Sequence, residues 1–63
     1  MVADNIRRLR EERGLTQEQL SALCKKSRTA CYQWESRTGS PTVKTLKIIA
    51  QVLEVPFEEL IKE

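Results

Sequence analysis

An all-α fold is what this 63-residue chain predicts, and three observations predict it. Apolar residues recur at helical spacing in several short segments, no stretch alternates polar and apolar residues as a strand does, and the breaks between segments carry helix start and stop residues. A chain of this length buries only about 60% of the surface it exposes when unfolded, so the expectation is one compact five-helix domain over residues 1–63, of modest stability.

The first helix runs from about Ala3 to Arg13, with Ile6 and Leu9 on one face and Gly14 placed where a left-handed residue closes a helix. The second begins beside Thr16. In Thr16-Gln17-Glu18-Gln19 the Thr16 hydroxyl can accept from the Gln19 amide while the Gln19 side chain reaches back, the reciprocal pattern of a capping box. Its apolar positions are Leu20, Leu23 and Cys24, and it should end near Cys24 or Lys25. Ser27 is expected to cap a third helix over 27–36, on which Cys31 and Trp34 stand three apart and share a face. Gly39, Ser40 and Pro41 end any helix, and Thr42 then caps a fourth carrying Val43, Leu46, Ile49, Ala50 and Leu53 as a broad core-facing stripe. Pro56 opens a short fifth with Phe57, Leu60 and Ile61, where Glu58 and Glu59 suit the positive end of the helix dipole.

Composition removes several function classes. No segment approaches the roughly 20 apolar residues of a membrane span, and MVADNIRRLR lacks a secretory apolar core, so a cytoplasmic protein is expected. Cys24 and Cys31 are seven apart, which fits neither a paired zinc-ligand spacing nor a Cys-x-x-Cys redox motif, and there is no histidine. No metal, cofactor or small-molecule ligand is expected. An enzyme is not expected either, because no Ser or Cys has a recognisable base nearby and the carboxylates sit on helix surfaces. The charge is uneven: nine basic residues face five acidic ones from Met1 to Lys44, and two face four from Thr45 to Glu63. A positive front suits a polyanionic partner, although charge alone favours a merely solvated mixed surface.

Two helices joined by the short link Lys25 to Ser27 are the parts of a helix-turn-helix. The residue order goes further. "GLTQEQLSALCKKSRTACYQWE" followed by "SPTVKTLKIIAQVLEVPFEELI" resembles the Cro and phage-repressor type helix-turn-helix family, also called XRE-like, from about Ile6 to Ile61. The matching positions include Leu15, Thr16, Gln17, Leu20, the small Ser21, Ser27, Arg28, Trp34, Glu35, Pro41, Leu46, Ile49 and Leu53. The resemblance implies a lambda repressor-like fold with its helix-turn-helix at about 16–36 and the activity of a sequence-specific DNA-binding transcriptional regulator of repressor type. It also implies double-stranded DNA with a pseudo-palindromic operator as partner, a homodimer on DNA that is weak or monomeric when free, and a place beside the prokaryotic or phage nucleoid.

In that arrangement the third helix exposes Arg28, Thr29, Tyr32 and Gln33 opposite Cys31 and Trp34. These four are the candidates for base contact: arginine can bond guanine bidentately, glutamine adenine, and a threonine methyl can meet thymine. Candidates for phosphate contact are Gln17, Ser27, Lys25, Lys26, Arg37 and Thr38, which would supply affinity and register rather than sequence information. The family pattern also places Arg10 against Glu35, predicting a partly buried ion pair that orients the recognition helix.

The chain departs from the pattern at three places. Lys25 and Lys26 replace the usual glycine and apolar residue of the turn, and Glu54 replaces a glycine after the fourth helix, so strain or an altered turn is expected. Cys24 and Cys31 stand where larger aliphatics are usual; they read as small buried hydrophobes, with a redox bridge as the sharper alternative. Val55, Phe57 and Ile61 would either form a small dimer patch or complete the core. The competing function is a protein-interaction module of the same fold, either antitoxin-like or an adaptor, or an engineered scaffold with little DNA binding.

Overall fold

In a computed structural model that describes residues 1–63, five α-helices follow one another: α1 (Val2–Glu12), α2 (Gln17–Leu23), α3 (Ala30–Ser36), α4 (Val43–Leu53) and α5 (Phe57–Ile61). One buried cluster draws on all five, with Ile6 and Leu9 from α1, Leu20 from α2, Cys31 and Trp34 from α3, Ile49 and Leu53 from α4, and Leu60 from α5. The α1 helix lies against α3 and α5, α2 packs on α3, and α4 packs on α5.

The local signals act as their chemistry predicts. Thr16 Oγ1 accepts from the Gln19 amide at 3.0 Å, and Gln19 Oε1 accepts from the Thr16 amide at 2.8 Å, closing the capping box that starts α2. Thr42 Oγ1 accepts from the Thr45 amide at 3.1 Å and starts α4. Gly14 takes φ 69°, which permits the tight turn after α1. Lys25 and Glu54 take φ 58° and 59°, so both turns keep the shape a glycine would give and carry a side chain in the left-handed region. Each costs about 1–2 kcal/mol in backbone strain. At Glu54 part of this is offset, because Arg13 donates to its carbonyl and to its Oε1, both at 3.2 Å.

Three expectations need correction. Ser27 does not cap α3: the helix begins three residues later, at Ala30, behind a turn in which the Ala30 amide donates to the Ser27 carbonyl at 3.0 Å. The Ser27 hydroxyl has no part in it. The helix ends at Ser36 as expected; Arg37 closes it at φ 65°, and the amides of Thr38 and Gly39 both turn back to the Gln33 carbonyl. Leu23 is not core but 54% exposed. On α2 the buried arc is Leu20, Ser21 and Cys24, and at about 100° per residue Leu23 falls outside it; the small Ser21 takes the inward place. Val43 is likewise 60% exposed, because the buried face of α4 begins only at Thr45 and Leu46.

One buried polar residue fastens the chain ends together. Asn5 Nδ2 donates to the carbonyls of Leu60 at 2.9 Å and Lys62 at 2.8 Å, which satisfies the C-terminal end of α5 from α1.

Candidate nucleic-acid interface

The α3 helix is only seven residues long, and a helix that short does not hold itself in water. Its conformation is imposed from outside. Cys31 and Trp34 are buried in the core, and the Cys31 amide donates to Ser21 Oγ at 2.9 Å. Ser21 Oγ in turn donates to the Gln17 carbonyl at 2.9 Å. One hydroxyl thus supplies α3 with the first-turn acceptor that Ser27 was expected to provide, and it does so from the neighbouring helix.

Glu35 anchors the other side. Its carboxylate accepts Arg10 Nε at 2.6 Å and Arg10 Nη2 at 3.0 Å, a two-pronged pair whose side chains are 11% and 5% exposed. Gln17 Nε2 donates to the same carboxylate at 2.9 Å and Cys31 Sγ at 3.1 Å, while Arg10 Nη1 donates to the Leu15 carbonyl at 2.7 Å. Helices α1, α2 and α3 therefore meet at one acid, and no buried side-chain nitrogen or oxygen lacks a partner.

Burial pushes the Glu35 carboxyl up, but the hydrogen bonds from Arg10, Gln17 and Cys31 and the Arg10 charge outweigh it, and the group is held below the ordinary glutamate value. The bond to Glu35 raises Arg10. Burial, then the Glu35 bond, pushes the Cys31 thiol up to about 12. Burial raises Cys24 as well. Both cysteines are free and both are shielded, which makes them poor nucleophiles.

With its inner face fixed, α3 turns Tyr32 and Gln33 to solvent, and Thr29 stands exposed at its start. Tyr32 shares a shallow recess with Gln17, Ser36 and Arg7, floored by the Arg10 and Glu35 pair. The recess brings together one base-contact candidate and one phosphate candidate from different helices. It also adds Arg7 and Ser36, which the sequence pattern does not single out. Gln17 has spent one amide hydrogen on Glu35 and keeps the second. Arg28 lies in the exposed link and donates from Nε to Glu18 Oε2 at 2.8 Å.

Other candidates lie apart from this recess. Lys25 and Lys26 line a different hollow with Leu23, Ile48, Gln51 and Val52. Arg37 reaches Asp4 on α1 at 3.0 Å, and Thr38 Oγ1 is 3.0 Å from Ser36 Oγ. Ser27 is exposed and keeps its hydroxyl free of protein partners.

The chain carries two short helices set against each other, the second clamped on one face and bare on the other, and its residues 6–60 match the helix-turn-helix family. The chain belongs to that family. Within it, the chain is 40% identical over 58 residues to a protein named HTH-type transcriptional activator BcrR from Enterococcus faecalis, covering 92% of this chain and 28% of that protein. It is 41% identical over 61 residues to a protein named uncharacterized HTH-type transcriptional regulator y4dJ from Sinorhizobium fredii (strain NBRC 101917 / NGR234), covering 97% of this chain and 79% of that one. The chain thus spans little more than a quarter of the first relative's length. In helix-turn-helix terms α2 is the first helix and α3 the second. No helix of the chain is long and apolar enough to cross a membrane.

Proposed function

We propose that the chain is a sequence-specific DNA-binding transcriptional regulator in which α3 enters the major groove. The observation that carries this is the division of α3: Cys31 and Trp34 are packed away, Glu35 is locked by two other helices, and Thr29, Tyr32 and Gln33 are left bare beside the start of α2. A rigid helix presenting hydrogen-bonding side chains is what base-edge reading needs. Arg28, Thr29, Tyr32 and Gln33 contact bases in this proposal. Gln17, through its remaining amide hydrogen, and Arg7 contact the adjacent phosphates, with Ser27, Lys25, Lys26, Arg37 and Thr38 as flanking backbone contacts. The Arg10 and Glu35 pair orients the reader. No step of this function is catalytic, and it is performed where the nucleoid is, in the cytoplasm.

On DNA two copies sit on a pseudo-palindromic site with recognition helices about 34 Å apart. Free association is weak in this reading, since Val55 and Phe57 pack against the core and leave Ile61, 45% exposed, as the apolar residue available at that end. Repression in particular finds no support in the site: docking a helix is common to activators and repressors, and one relative's name specifies an activator.

Selection from a random-site duplex pool, followed by a salt titration on the selected site, tests the proposal. The expected result is one preferred sequence whose affinity falls with salt at a log-log slope of about −0.9 per phosphate contact. A protein-interaction role for the same fold is favoured by one observation, that Arg28 and Arg37 are each already paired with an acidic residue. That role predicts no selected sequence and only a shallow salt response.

A further inference from the structure

We infer that Glu18 sets the base preference of Arg28, holding the guanidinium by Nε so that its Nη1 and Nη2 end is presented to a guanine and turned away from phosphate. The inference rests on the DNA-binding reading above. Arg28 lies in the link between α2 and α3, and Glu18 lies in the first turn of α2, ten residues earlier. Their 2.8 Å bond joins the two parts of the helix-turn-helix on the outside of the molecule, with side chains 81% and 62% exposed. An exposed pair of this kind contributes little to folding, which leaves its effect on the free guanidinium as the consequence that matters.

A guanidinium has five N–H donors, and the bond to Glu18 takes the single one on Nε. The four on Nη1 and Nη2 remain. A bidentate contact to guanine O6 and N7 needs two donors side by side, and the Nη end supplies them. The pair at Arg37 is made differently: Asp4 takes Nη2 itself and so occupies part of that end.

The charge of Glu18 adds discrimination. Beside a duplex the phosphates attract any free cation and carry no sequence information. A phosphate approaching Arg28 meets the neighbouring carboxylate and is repelled. A guanine edge, which is neutral, pays no such penalty. Glu18 is therefore a positioning residue: it touches no base and acts through Arg28.

The test runs random-site selection on the wild-type chain, Arg28→Ala and Glu18→Gln, with salt titrations on the selected site and on a scrambled duplex, and thermal melts of all three. The expected result is a guanine at one position in the wild type that Arg28→Ala erases. In Glu18→Gln the preference for that guanine should fall about tenfold, while melting stays unchanged. Binding of Glu18→Gln to the scrambled duplex should tighten, with a slope steeper by about 0.9 as Arg28 moves to a phosphate. A guanine erased by Arg28→Ala but kept by Glu18→Gln overturns the inference and leaves the DNA-binding reading standing. A selected site without any Arg28-dependent guanine also overturns it. A wild-type chain that selects no sequence overturns both.

Discussion

Glu35→Ala is the change that bears most directly on how α3 is held. The substitution removes four hydrogen bonds together: Arg10 Nε and Nη2, Gln17 Nε2 and Cys31 Sγ all donate to this carboxylate. What remains is an Arg10 guanidinium, 11% exposed, with the Leu15 carbonyl as its principal acceptor. Breaking a buried pair from one side costs about 3–5 kcal/mol, because the other charge stays behind without compensation. A domain of 63 residues has in total about 3–9 kcal/mol to lose. The variant should therefore sit at the edge of unfolding at room temperature, with a thermal midpoint lowered by at least about 12 °C at 4–8 °C per kcal/mol. Urea and thermal unfolding followed by circular dichroism measure this. Glu35→Gln keeps the size and one acceptor oxygen but also leaves the Arg10 charge unpaired, so it should lose about 3 kcal/mol, the low end for a pair broken from one side, and give a measurable curve even where the alanine variant is unfolded. Arg10→Met combined with Glu35→Leu removes both charges and should be more stable than either single truncation. A loss for Glu35→Ala under about 0.5 kcal/mol, the range of an exposed pair, would refute the argument that this acid is buried and indispensable.

Three further outcomes follow from the same geometry. Lys25→Gly should stabilise the chain by about 0.5–1 kcal/mol, the left-handed strain relieved less the extra entropy glycine loses on folding, and a lowered urea midpoint would show that the turn carries no strain. Because Glu35 is held below its ordinary value of 4.5, its contribution is fully present above that pH and is lost as pH falls through the lower folded value. Urea midpoints measured across that acid range should drop, and drop less in Glu35→Gln; an equal slope in both chains would exclude Glu35 as the source. With the Cys31 thiol at about 12 and Cys24 raised by burial, iodoacetamide at pH 8 should label the native chain only as fast as it unfolds, and labelling at the rate of a free thiol would contradict the burial of both.

Much of the fold was legible because its signals are local. Thr16 and Gln19 are three residues apart, and their reciprocal bonds depend on nothing beyond one helical turn. Thr42 and Gly14 act over similarly short distances. The candidate site was legible differently. Helical phase separates Cys31 and Trp34 from Tyr32 and Gln33 on α3, but no periodicity pairs Arg10 with Glu35, 25 positions away; the resemblance names the two, and the packing of α1 on α3 brings them to 2.6 Å. Ser21 shows the limit of both routes. The resemblance marks it only as small, whereas its hydroxyl joins the Gln17 carbonyl to the Cys31 amide.

The sequence by itself determined that the chain is five helices, where four of them start, and which residues of α3 face inward, since capping bonds and the helical period are set within a few residues. Only the tertiary structure decided where α3 begins, that Leu23 and Val43 stay in solvent, and that Glu18 holds Arg28. Those depend on how one helix is rotated against the next. A start at Ala30 satisfied by Ser21 from across the junction, in place of Ser27 beside it, is a choice made by packing, because the competing hydrogen-bond partner exists only after α2 and α3 have docked.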